Sequence, residues 1–161
     1  MINASKELLN SFFSNNLQYV VPFFQRAYVW DEENWETLWE HINTVAEKIS
    51  NNEQNEHFIG TIITKQRSNN NIGENKLDLI DGQQRLTTFS LLLKAIATKA
   101  SGEGSYSALK EIANGFVVFK YAMNEKFPRI EHSRIDSEYF RAIMFDEDLS
   151  SLENQHNKML M

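Results

Sequence analysis

The residues best suited to chemistry lie in one run, Ile80-Asp81-Gly82-Gln83-Gln84-Arg85-Leu86-Thr87-Thr88. Lys76 to Ile80 has the look of a strand, and Leu86, Phe89, Leu93, Ile96, Ala97 and Ala100 recur after it at helical spacing. The run therefore reads as a strand turning through glycine straight into a helix. Such a junction offers backbone N–H groups with no intrahelical acceptor, and the positive end of the helix dipole adds to their attraction for a phosphate. Gly82 lets an anion reach the backbone with no Cβ in the way. Arg85 can hold a phosphate in its fork, Gln83 or Gln84 can orient a water or read a base, and Asp81 can bind Mg2+ directly or through water. The same residues also have a plain reading. Asp81 caps the helix, Gly82 makes the turn, and Gln83, Gln84 and Arg85 face solvent in its first turn. Residue types alone weigh the two evenly.

A second cluster is Val21-Pro22-Phe23-Phe24-Gln25-Arg26-Ala27-Tyr28-Val29-Trp30. Rings beside an arginine can stack a base and grip its phosphate. They can equally plug the core where a loop meets a helix, and for Phe23, Phe24, Tyr28 and Trp30 the core reading is preferred. Gln25 and Arg26 lean towards function. Two Gln-Arg pairs, each just after a strand, are expected to converge, bringing Arg26 towards Arg85.

Other chemistries are excluded or unsupported. The chain has no cysteine, which removes disulfides and thiolate catalysis and makes a reducing compartment, the cytoplasm, the expected home. No Gly-x-x-x-x-Gly-Lys-Ser/Thr or Gly-x-Gly-x-x-Gly run is present. His41, His57, His132 and His156 lie far apart in the chain without ligand spacing, so no zinc site is expected.

The elements that must position these residues follow from periodicity. Leu17 to Pro22 reads as a short strand ended by proline. Asp31 is placed to cap a helix whose Trp35, Leu38, Trp39, Ile42, Val45, Ala46 and Ile49 form one apolar face. His57 to Thr64 has the β-branched density of a buried strand, and Gly60 within it suggests close approach by another backbone. The polar stretch 66–75 is expected to be a loop between paired strands, and the helix after Gly82 to be central, since Leu91 and Leu92 make it apolar on further faces. Ser101-Gly102-Glu103-Gly104 suggests a hinge before a third helix carrying Tyr106 to Tyr121. Phe127 to Ser133 is expected to be extended, and Asp136 to cap a last helix.

With 161 residues, 42% of them hydrophobic, one core is expected: residues 1–100 as the nucleotide-binding core and 101–161 as a helical extension, the start of a longer protein. The fold class is α+β, a small mixed sheet with packed helices. Nothing in the sequence reads as a signal peptide or membrane span. A net charge of −6 disfavours non-specific attraction to a nucleic-acid backbone, so DNA contact would need a local patch or other domains.

Val-Pro-Phe-Phe-Gln-Arg-x-Tyr-x-Trp, then His-Phe-Ile-Gly-Thr-Ile, then Ile-Asp-Gly-Gln-Gln-Arg-Leu-Thr-Thr, in this order over roughly residues 5 to 145, resembles the GmrSD-type restriction endonuclease N-terminal domain, similar in fold to ParB and sulfiredoxin proteins. The resemblance implies a nucleotide-binding and hydrolysing module of a bacterial modification-dependent, anti-phage restriction system, commonly joined to an HNH-type nuclease domain. It implies a nucleoside triphosphate as substrate or ligand and Mg2+ as cofactor. Carried over by position, Gln25, Arg26, Gly60, Gly82, Arg85 and Thr87 would bind nucleotide or phosphate. Asp81, Gln83, Gln84 and Arg85 would be catalytic, with Asp81 the magnesium ligand. In the first motif the family usually places Ile-Pro-Asp-Tyr before Gln-Arg, where this chain has Phe23 and Phe24 after Pro22. The sulfiredoxin branch depends on a reactive cysteine, so peroxiredoxin repair is excluded here. Two rivals to the triphosphatase remain: a module that senses nucleotide or modified DNA without turnover, and a plain interaction domain.

Overall fold

The computed structural model describes residues 6–53, 57–67, 75–99, 107–120, 126–132, 136–150 and 152. In chain order the elements are α1 (Leu9–Ser14), β1 (Gln18–Val20), α2 (Glu32–Ser50), β2 (Ile63–Gln66), β3 (Lys76–Asp81), α3 (Gln83–Lys99), α4 (Ser107–Val117), β4 (Val118–Lys120), β5 (Lys126–Pro128), β6 (Ile130–Glu131) and α5 (Asp136–Phe145). A four-stranded sheet runs in the order β2-β3-β1-β6, with β1 parallel to both β3 and β6 and β2 antiparallel to β3. β4 and β5 form a separate antiparallel pair. The fold is α+β, as the sequence suggested.

The core forms where the sheet meets α1, α3, α4 and α5. Phe12 and Phe13 from α1, Tyr19 from β1, Leu79 from β3, Leu86 and Phe89 from α3, Val117, Ile130, Phe140 and Met144 make one buried cluster. Apolar side chains removed from water are the main source of stability in such a cluster. The ring of Phe12 stacks on Tyr19 at 3.9 Å between centroids. Val117, Ile130, Phe140 and Met144 of this core come from after residue 101, and β6 lies beside β1, so the sheet is completed by the C-terminal part of the chain.

α2 begins where expected. The Asp31 side chain accepts from Asn34 N–H and the Asn34 side chain accepts from Asp31 N–H, a reciprocal cap that satisfies two otherwise orphaned donors. Its apolar face, however, contains no fully buried residue. α3 is the central helix, buried through Gln83, Gln84, Leu86, Thr87, Thr88, Phe89 and Ser90.

Several expectations are corrected. His57 to Thr64 is not a buried strand: pairing starts only at Ile63, and β2 is an exposed edge strand. Gly60 adopts φ +102°, and the neighbouring carbonyls of Ile59 and Thr61 accept from a side chain instead of a strand. The helix after the proposed hinge stops at Val117, and Val118–Lys120 is extended. Asp136 is the first residue of α5, and its carboxylate accepts the Tyr28 backbone N–H at 2.9 Å. Ser101 to Gly104, most of the loop tip between β2 and β3, and His156 lie outside the described residues. Among the described residues no helix is long and apolar enough to cross a membrane.

Candidate functional site at the junction of β3 and α3

β3 ends at Asp81, the chain turns at Gly82 with φ +94°, and α3 starts at Gln83. That φ is costly for any residue with a Cβ. Space matters as well, since a Cβ at Gly82 would stand 3.1 Å from Ile62 Cγ1.

Gln83 and Gln84 do not face solvent; only 6% and 7% of their surfaces are exposed. Gln83 Nε2 donates to the Arg26 carbonyl at 3.0 Å, and Gln84 Nε2 donates to the Ala27 carbonyl at 3.0 Å. The Gln84 side-chain oxygen Oε1 in turn accepts from Val29 N–H at 2.9 Å and Trp30 N–H at 3.3 Å. Gln25 reaches the other way, its Nε2 donating to the Ile80 carbonyl at 3.0 Å. The loop between β1 and α2 is thus stitched to the junction by three glutamines. A buried amide needs partners for its oxygen and hydrogens, and for Gln84 backbone groups of the loop meet both ends of the amide.

Arg85 closes the opposite side. Its Nη1 donates to the Ile59 carbonyl at 3.0 Å and its Nη2 to the Thr61 carbonyl at 2.7 Å, with Asp81 Oδ2 3.4 Å from Nη2. A Cβ at Gly60 would lie 1.7 Å from Arg85 Nη1. What approaches Gly60 is therefore a guanidinium and not, as expected, a backbone. The loop carrying Arg26 and the segment carrying Gly60 both close on the first turn of α3, Arg26 through its backbone carbonyl on Gln83 and the Gly60 segment through Arg85.

Asp81 and Arg26 remain accessible at the surface, the Asp81 side chain being 56% exposed. Thr87 is buried, and its Oγ1 lies 3.1 Å from His132 Nε2. Burial lowers the His132 pKa to about 4, opposed by the nearby Asp136 carboxylate, so the ring is neutral at pH 7. Sequence reasoning missed this pair, which is 45 residues apart. The signal that could have raised it is the adjacent Thr87-Thr88 on a helix expected to be buried, where each hydroxyl needs a partner. Thr88 finds one in Tyr28, whose hydroxyl is 2.8 Å away.

The rings of the first motif divide. Tyr28 and Trp30 are half-buried, but Phe23 and Phe24 are 73% and 72% exposed, against expectation. With Gln25 turned inward onto Ile80, the residues before it are carried out over the surface. His41 and His57, distant in sequence, have ring centroids 4.7 Å apart. Among the described residues no group of three or more His, Cys, Asp or Glu could hold a metal.

The family model for the GmrSD restriction endonuclease N-terminal domain matches residues 8–160, nearly the whole chain. The chain belongs to the GmrSD N-terminal domain family. No curated protein matches it. As a GmrSD N-terminal domain it has a role in a restriction system, and membership implies a nuclease partner domain in the full-length protein. The sequence runs that carry the resemblance are the ones that meet in space: the Gln25-Arg26 loop, the Gly60 segment and the Asp81–Arg85 turn.

Proposed function

We propose that this GmrSD N-terminal domain binds a nucleoside triphosphate at the β3–α3 junction and hydrolyses it with Mg2+, as the regulatory step of a modification-dependent, anti-phage restriction system. The observation that carries the reading is the 3.0 Å bond from Gln83 Nε2 to the Arg26 carbonyl. It holds the Arg26 segment against the helix turn whose backbone N–H groups have no intrahelical acceptor. A phosphate there would meet the N–H groups from Gly82 to Arg85, with the Arg26 guanidinium available from the loop.

In this reading Gln25, Gln83, Gln84 and Arg85 are positioning residues, because each donates a side-chain N–H to a backbone carbonyl. Thr87 also acts at a distance, through His132. Mg2+ commonly keeps several waters and takes one or two carboxylates plus substrate phosphates. The exposed Asp81 carboxylate fits that requirement, and a bound Mg2+ would neutralise phosphate charge. The net charge of −6 leaves DNA recognition to other domains of the complete system.

A second reading, binding without turnover, is favoured by one feature. The Gln84 amide is engaged through both its oxygen and its nitrogen, so it is not spare to orient an attacking water. The two readings separate when wild type, Arg26→Ala and Asp81→Ala proteins are incubated with ATP, GTP, CTP or UTP plus Mg2+ and assayed for phosphate release. Release lost in both variants supports hydrolysis. Binding with no release by wild type supports the sensor, and neither binding nor release removes both readings.

A further inference from the structure

α2 carries apolar residues along its whole length yet buries none of them fully. Leu38, Ile42 and Val45 are half-buried against the body. Trp35 and Trp39 stand 46% and 51% exposed. Between α2 and α3 runs a groove of about 340 Å3, walled by Trp35, Leu38 and Trp39 on one side and Leu91, Leu92 and Ala95 on the other.

The few polar atoms at its end are committed to one another. Trp35 Nε1 donates to the Tyr28 hydroxyl at 2.7 Å, and Thr88 Oγ1 donates to the Gln84 carbonyl at 2.8 Å. The 2.8 Å contact between Tyr28 and Thr88 is then completed by the tyrosine proton. Small-molecule sites depend on a few convergent polar groups to fix their ligand, and none is left here. Carbon walls running along two helices suit instead the apolar side chains of a third helix packed ridge into groove.

Charge narrows the occupant. Glu32, Glu36, Glu40 and Glu47 follow one another at steps of four and seven along α2, forming one acidic row. Glu32 and Glu36 each lie three residues before Trp35 and Trp39, and so beside them on the helix surface. None of the four makes an ion pair among the described residues. A second copy of this chain would bring a second acidic α2 to the groove and set glutamate against glutamate.

We infer that the α2–α3 groove docks a basic amphipathic helix of a partner protein. Its aliphatic side chains would lie between Trp39 and Leu92 and its lysines or arginines against Glu32, Glu36 and Glu40. Docking there does not rest on the proposed nucleotide binding.

The test uses two fluorescein-labelled 18-residue peptides with leucine at helical spacing, one filled with lysine and the other with glutamate, and reads anisotropy against the chain. The lysine peptide is expected to bind and the glutamate peptide not. Trp39→Ala, and separately Glu36→Lys with Glu40→Lys, should each weaken binding at least about tenfold, the size of one lost interface anchor. Glu111→Lys, on the exposed face of α4, should not. Equal binding of the two peptides, or a Trp39→Ala chain that binds as wild type does, would overturn the inference. So would a concentration-dependent dimer in light scattering that Trp39→Ala abolishes, since the groove would then take a second copy.

Discussion

The guanidinium of Arg85 occupies the space where a Cβ on Gly60 would be, 1.7 Å from the ideal carbon position. Glycine in the middle motif and arginine in the last are thus two halves of one contact. Gly60→Ala should both strain a backbone at φ +102° and expel the Arg85 side chain. A loss of about 2–4 kcal/mol in urea unfolding is expected, combining a left-handed conformation with a broken hydrogen-bonded charge. Arg85→Ala should absorb part of it, so the double variant is expected to be less destabilised than the sum of the singles.

Gln84 holds the loop through three backbone groups. Gln84→Leu keeps the bulk but leaves the Ala27 carbonyl and the Val29 and Trp30 N–H groups without this partner, at a cost of about 2–3 kcal/mol. Hydrogen exchange is the sharper readout. The Val29 and Trp30 amides should exchange much faster in the variant, while amides of the core strand β3 follow only the change in global stability.

His132 makes stability fall in acid. Its pKa is about 4 in the folded protein and about 6.5 when unfolded. A depressed folded pKa means the unfolded chain binds the proton first, so stability present above pH 6.5 is lost as pH falls towards 4. The ring is buried, and its share of that loss should approach about 3 kcal/mol. Urea midpoints at pH 7.0 and 4.5 check the sign: His132→Gln should lower stability at pH 7 but flatten its fall between the two.

Arg129 is buried and donates to the carbonyls of Phe116, Leu17 and Gly115, tying the ends of α1 and α4 to β6. Burial pulls its pKa below the usual arginine value. Cations near helix C-termini are favoured by the dipole, but a lysine cannot reproduce the fork. Arg129→Lys is expected to cost about 2–4 kcal/mol by thermal or urea unfolding.

Much of this was legible in the sequence where the cause is local. Asp31 and the stripe from Trp35 to Ile49 announce α2, and Gly82 between an alternating polar and apolar run and a helical one announces the junction. What was not legible depends on partners distant in the chain. Phe58, Ile59 and Ile62 look like strand residues, yet Arg85 draws the carbonyls of Ile59 and Thr61 out of any ladder. Gln83 and Gln84 look like surface residues, and they are buried because the loop from Arg26 to Trp30 presents backbone groups that match their amides. Phe23 and Phe24 look like core, and the inward turn of Gln25 leaves them outside.

The most direct test of the phosphate site is an NMR titration of 15N-labelled protein with a nucleoside triphosphate and Mg2+. The largest amide shifts are expected on Gly82, Gln83, Gln84 and Arg85, with Arg26 following, and Arg26→Ala should weaken the response at least about tenfold, the scale of one charge-assisted contact. A spectrum unmoved at millimolar nucleotide, or shifts confined to residues away from this turn, would contradict a phosphate site there.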